Sequence, residues 1–138
     1  MVIGLGNHSN NNEDVDAVVK NNNWARFVAK TGLIKNGNTE IGKCEEFKLP
    51  TFSWNDNDVF GCGLIYPPTN KITEEFPYVF FTQNGKQIGK ALLLNNSDYN
   101  EPYVVLRCCS VETNFGNNLE TNPFIYDISK HFVSKEFY

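Results

Sequence analysis

Histidine is nearly missing from this chain of 138 residues: His8 and His131 are the only two, and they stand near opposite ends. The four cysteines include no C-x-x-C pair, so no ligand spacing for zinc exists and no cofactor is expected. Basic clusters are lacking as well. The twelve Lys and Arg are scattered and the formal charge is -4, which leaves no positive stripe to follow a phosphate backbone; nucleic acid is not an expected partner. No apolar run approaches the roughly 20 residues that span a bilayer, so no membrane partner is expected either. Residues 1–6 are too short, and lack the basic flank, for a secretory leader. Cysteine usage without a pairing framework fits a reducing compartment, and the expected location is the cytosol or nucleus. Cys44, Cys62, Cys108 and Cys109 are expected as buried or half-buried free thiols. No internal repeat is visible, which disfavours propellers and solenoids.

What the chain does have is short apolar runs separated by Gly, Pro and Asn. Its length suits one domain and is too short for two ordinary ones, and its apolar and aromatic side chains suffice for a single core. The clearest local signal is Val79-Phe80-Phe81-Thr82-Gln83-Asn84-Gly85-Lys86-Gln87-Ile88-Gly89. Asn84 and Gly85 accept positive φ at little cost, which predicts a two-residue type I′ turn joining two antiparallel strands. The turn fixes the register: Gln83 opposite Lys86, Thr82 opposite Gln87, Phe81 opposite Ile88, and Phe80 over the bare backbone of Gly89.

Further strands are expected over residues 2–6, 24–30, 32–38, 59–66, 91–94, 103–109 and 111–115. In residues 103–109, Val104, Leu106 and Cys108 alternate with Val105, Arg107 and Cys109, the pattern of a half-buried strand. Between the strands, residues 7–23 read as an Asn-rich loop, 69–77 and 95–102 as further loops, and Asn55-Asp56-Asn57-Asp58 as a turn; Pro67-Pro68 ends the strand before it. Asp127 is placed to cap a short C-terminal helix, with Ile128 and Phe132 four apart on its packing side. About a dozen short strands with little helix predict an antiparallel all-β sandwich.

Three stretches, in order, resemble motifs of the SPRY domain, called B30.2 when extended at its N-terminus. Asn57-Asp58-Val59-Phe60-Gly61-Cys62-Gly63 is similar to the family's G-D-x-x-G-C-G, and Phe80-Phe81-Thr82-Gln83-Asn84-Gly85-Lys86 to its F-F-T-K-N-G-K. Asn114-Phe115-Gly116 followed by Pro123-Phe124-Ile125-Tyr126 is similar to its N-F-G and P-F-x-F. Weaker matches are Ile3-Gly4-Leu5, and Trp24 with Gly32-Leu33-Ile34. The resemblance implies a bent, concanavalin-like antiparallel sandwich over residues 1–127, lacking the family's first N-terminal strands, with residues 128–138 as a tail or short helix. It also implies a function: recognition of a peptide or surface of another protein, as in the substrate-recognition part of a ubiquitin-ligase adaptor. The chain departs from the family in its longer loop at 69–77 and its shorter turn between Cys109 and Val111. If nothing precedes Met1, the strand at Val2 to Leu5 is expected to expose a sheet edge, open to a partner strand or a second copy.

A protein-binding module without enzymatic activity is therefore the leading expectation. Its contact residues are expected in turns at one end of the sandwich: Lys35 and Asn36 in one, Ser110 and Glu112 in another. Two other classes are open on the sequence. A lectin-like sandwich would stack sugars on Trp24, Trp54 or Tyr66. A thiol enzyme would pair Cys109 with His8 or Cys62 with His131, although a thiolate needs a base within hydrogen-bond reach and nothing in the spacing supplies one.

Overall fold

A computed structural model of the chain describes residues 1–7, 23–66, 76–94, 99 and 101–138. The expected loops at 7–23, 69–77 and 95–102, and the stop at Pro67-Pro68, lie largely outside these residues. Among the described residues, the chain forms eight strands in two antiparallel sheets. β1 (Val2–Gly6), β2 (Asn23–Val28), β3 (Leu33–Asn38), β4 (Lys43–Lys48) and β8 (Glu101–Val105) make one sheet in the order β4-β3-β2-β1-β8. β5 (Phe60–Ile65), β6 (Tyr78–Gln83) and β7 (Lys86–Leu93) make the other, in sequence order. The fold is an all-β sandwich, as the strand-and-turn pattern predicts.

Strand period and register together build the core. One row of side chains crosses all five strands of the larger sheet: Val104, Ile3, Phe27, Ile34 and Phe47 stand opposite one another in turn. Every member of that row packs in the main cluster, against Val79, Phe81, Leu92, Cys62 and Leu64 from the smaller sheet. Phe27 is at the centre, its ring centroid 5.8 Å from that of Phe60 and 6.0 Å from that of Phe81, with Phe52 edge-on at 5.1 Å. Full burial of side chains of this size contributes about 1.5–3 kcal/mol each.

β1 is not an edge. It lies between β2 and β8, so the open edge expected at Val2 to Leu5 is filled by a strand about a hundred residues downstream. The hydrogen bonds at its ends set the parity of the sheet. Ala29 N–H donates to Met1 O at 3.1 Å and Asn7 N–H to Asn23 O at 3.3 Å, so the odd residues of β1 bond to β2. Because bonding alternates along an antiparallel strand, Val2, Gly4 and Gly6 turn to Val105, Tyr103 and Glu101. The backbones of Pro102 and Val104 therefore point away from the sheet, and proline, with no N–H to give, sits where none is asked of it.

The hairpin follows its predicted register through Gln83–Lys86, Thr82–Gln87 and Phe81–Ile88, with Asn84 at φ 50° and Gly85 at φ 74°. Beyond that pair it departs. Val79 stands opposite Leu92, so Phe80 spans the stretch from Gly89 to Ala91 and does not lie over Gly89. Gly89, at φ 65°, opens this bulge, and a Cβ there would meet Tyr138, Leu49 and Ile34 within 2.8 Å. Phe80 lies instead over Gly63 on the neighbouring β5: a Cβ on Gly63 would fall 2.3 Å from its ring.

The last third of the chain differs most from expectation. β8 stops at Val105, and the expected strand does not continue to Cys109 because Cys108 takes φ 56°, a left-handed conformation that extended chain does not use. Residues 111–115 form no strand. The predicted helix is a single 3-10 turn, Ile128–Lys130, with Asp127 at its N-cap accepting from Ser129 N–H at 3.1 Å. Its packing stripe is absent: Ile128 is exposed and Phe132 is 90% exposed. The chain then returns to the sandwich, where Phe137 bridges to Ala91 and Tyr138 stacks on Phe47 with centroids 4.4 Å apart.

Candidate protein-binding surface

The two best-matched motifs meet at one carboxylate. Asp58, in the turn entering β5, accepts from Asn84 Nδ2 at 2.7 Å, Gln83 Nε2 at 2.8 Å and Asn55 N–H at 2.8 Å. Asn84 returns the contact to the neighbouring residue, its Oδ1 accepting from Val59 N–H at 2.8 Å and its own N–H donating to Val59 O at 2.7 Å. Hydrogen bonds from Asn84, then Asn55 and Gln83, hold the Asp58 carboxyl below its usual range. Every donor here belongs to the fold itself, so the network joins β5 to the β6–β7 turn and is structural.

Lys35 and Asn36 are not in a turn. They lie in the middle of β3, and the turn follows at residues 39–42. Successive residues of a strand face opposite ways, so they belong to different surfaces. Lys35 shares the outer face with Arg26 and Glu46 and forms an ion pair with Glu46 across the strands. On the same face the Trp24 indole lies over Gly37, and the Arg26 guanidinium sits over the indole at 4.0 Å from the ring centroid. Arg26 Nε is buried without a hydrogen bond among the described residues. Burial pushes the Tyr103 hydroxyl up to about 12, with the neighbouring Arg26 charge opposing.

Asn36 faces the other way, where its Oδ1 accepts from Tyr99 OH at 3.4 Å. It lines a cleft of about 130 Å³ with Asn23, Asn38 and Tyr99. Lys43 and Glu45 of β4 line the same cleft, so it presents charges of both signs beside the amides.

Ser110 and Glu112 are both exposed, in the irregular stretch that follows β8. Two strands, β2 and β1, separate β3 from β8, so Lys35 stands about 14 Å from the strand that leads into Ser110 at ordinary strand spacing. The four residues do not form one patch. The same irregular stretch carries six exposed large apolar side chains, Leu106, Val111, Phe115, Leu119, Phe124 and Ile125, among its polar residues. The signal for this surface was present in the sequence as alternation, and it was read there as strand.

The thiol and sugar alternatives meet specific obstacles. His131 stacks on Phe80 with centroids 4.5 Å apart, on the outer side of the smaller sheet; its Nε2 is 2.8 Å from Tyr78 OH and its Nδ1 2.5 Å from Tyr126 OH. A neutral imidazole donates from one nitrogen and accepts at the other, so the two tyrosines take opposite roles, and partial burial lowers the His131 pKa in favour of that neutral form. Cys62 packs into the core on the opposite side of the sheet beside Phe81, and burial pushes its thiol up to about 12. The pair Cys62–His131 is therefore not assembled, and His8 lies outside the described residues. Contrary to expectation, Cys44, Cys108 and Cys109 are exposed, because β4 is an edge strand and β8 ends before the last two. Trp24 is only 8% exposed beneath Arg26 and offers no face to a sugar, whereas Trp54 and Tyr66 are exposed. Among the described residues, no group of three or more His, Cys, Asp or Glu gathers as a metal would need. Compared with family models, curated proteins and solved structures, the chain matches none.

Proposed function

We propose that this chain is a protein-binding module of SPRY type, without enzymatic activity, that recognises a peptide or surface of another protein through the stretch following β8. The observation that carries the reading is the concentration of exposed large apolar side chains between Leu106 and Ile125, around the polar Ser110 and Glu112. Exposed apolar side chains interspersed with polar groups on irregular chain are what protein recognition uses. The resemblance of Asp58 to Gly63 and Phe80 to Lys86 to SPRY motifs adds a context, the substrate-recognition part of a ubiquitin-ligase adaptor in the cytosol or nucleus. Lys35 and Asn36 belong to separate faces, and in this reading Ser110 and Glu112 take the larger part.

Panning the immobilised chain against a random peptide display library tests the proposal. Enriched peptides should lose most of their affinity for Ser110→Trp and Phe115→Asp and keep it for Lys35→Glu. A library that yields no enriched sequence, or peptides that bind all three variants as well as the original chain, refutes the assignment.

A further inference from the structure

Among the described residues, each sheet edge of this sandwich is guarded by charge, bulge or cover except that of β8. β4 carries Lys43, Glu45, Glu46 and Lys48 along an exposed strand. β7 carries Lys86 and Lys90, is bent by its bulge, and is bridged at Ala91 by Phe137. β5 lies against β1 of the facing sheet. Charges, bulges and cover are the devices that keep sheet edges from pairing. Among the described residues, β8 carries no bulge and no cover, only Pro102 and the terminal charge of Glu101. It is the edge strand of the larger sheet, and its sequence and the two residues that follow, Glu101-Pro102-Tyr103-Val104-Val105-Leu106-Arg107, are apolar between two terminal charges; Val105 is 40% and Leu106 43% exposed.

We propose that β8 pairs antiparallel with β8 of a second copy, across a two-fold axis at Val104. The parity of the sheet selects this register. Val104 turns its N–H and C=O away from β1, so Val104 and Val104 of the partner subunit exchange two hydrogen bonds. Two residues on, Leu106 N–H donates to the carbonyl of Pro102 of the partner subunit, and the proline is asked only to accept. Tyr103 then stands opposite Val105 of the partner subunit, and Glu101 opposite Arg107 of the partner subunit, once at each end. The charge sequence of the strand is self-complementary about its centre, which is what an isologous contact requires. Pairing extends β8 by two residues, to the point where Cys108 turns the chain away. This contact uses Glu101 to Arg107 and shares only Leu106 with the peptide-binding reading, so variants at Glu101 and Arg107 test it separately from those at Ser110 and Phe115.

Sedimentation equilibrium on the full chain over a wide concentration range tests the proposal. A monomer–dimer equilibrium is expected. Glu101→Arg and Arg107→Glu, both at exposed positions, should each weaken the dimer about tenfold by setting like charges opposite at both ends. The double variant Glu101→Arg with Arg107→Glu should restore the original association. A chain that is monomeric at every concentration overturns the proposal. So does a dimer indifferent to both single reversals, or a double variant as weak as the singles.

Discussion

Replacing Gly63 by alanine adds one methyl group where the fold has no room for it. The new Cβ would fall 2.3 Å from two carbons of the Phe80 ring. Phe80 cannot swing aside cheaply: it is 1% exposed, stacked under His131 at 4.5 Å and packed against Tyr126 at 5.1 Å between centroids. Overpacking a closed site of this kind costs about 1–3 kcal/mol. Alanine in a strand regains roughly 0.5–1 kcal/mol from the lower entropy of its unfolded chain, so the net loss should be about 1–2 kcal/mol. At a slope of about 4 °C per kcal/mol for a chain of this length, the melting temperature should fall by about 4–8 °C. Gly61, two residues away on the same face, supplies the control. Its Cβ would meet the Thr82 hydroxyl at 2.5 Å, a group that can rotate away, so Gly61→Ala should stay within about 1 kcal/mol of the original chain. Urea unfolding of both variants, followed by circular dichroism, gives the comparison, and Phe80→Leu combined with Gly63→Ala should recover part of the loss. Equal stability of Gly61→Ala and Gly63→Ala, or a double variant that is merely additive, would refute the close packing of Phe80 on Gly63.

Asp58→Ala should lower the urea midpoint. Because the folded Asp58 pKa lies below 3.8, the stability it adds is complete above that value and is lost as pH falls through the folded pKa; an acid titration of Asp58→Ala should therefore be flatter there than that of the original chain. His131 has the opposite assignment of charge. Its folded pKa is depressed, so the unfolded chain takes up the proton first, and stability should be full above about 6.5 and fall as pH drops from there toward the folded value. His131→Gln should remove that part of the slope, and an unchanged midpoint profile would refute the buried neutral imidazole. Iodoacetamide should alkylate the exposed Cys44, Cys108 and Cys109 in the native chain much faster than Cys62, which is half-buried with its thiol pushed up to about 12, as read by mass spectrometry; native labelling of Cys62 at a rate like the others would contradict that raised thiol.

Local chemistry was legible and long-range pairing was not. Asn84-Gly85 could be read because a two-residue turn dictates its own register. That register ends at Gly89, where a glycine of positive φ inserts a bulge that the flanking alternation does not signal. β4 was missed because Lys43-Cys44-Glu45-Glu46-Phe47-Lys48 is nearly all polar: an edge strand needs only one apolar residue, here Phe47, facing the core. Lys35 and Asn36 read as a turn because Gly37 and Asn38 follow, but Gly37 is needed in β3 to let Trp24 lie flat. Conversely, the alternation from Val104 to Cys108 looks like strand and is strand for only its first part. Its remainder is exposed apolar chain, and periodicity alone cannot tell a side chain that faces a core from one that faces solvent.

The position of β1 has a consequence in time. Of the described strands β1 is synthesised before both its neighbours: β2 follows within about twenty residues, but the other edge of β1 waits for Glu101 to Val105. At roughly 5–20 residues per second, about 5–20 s pass between synthesis of Val2 and of Val105. Throughout that interval the sheet has an open centre, with Ile3 and Leu5 already committed to one neighbour and lacking the other. The nascent chain is thus most vulnerable to wrong pairing late in its synthesis, and a pause placed upstream of codon 101 should lower the yield of folded protein more than one placed after it.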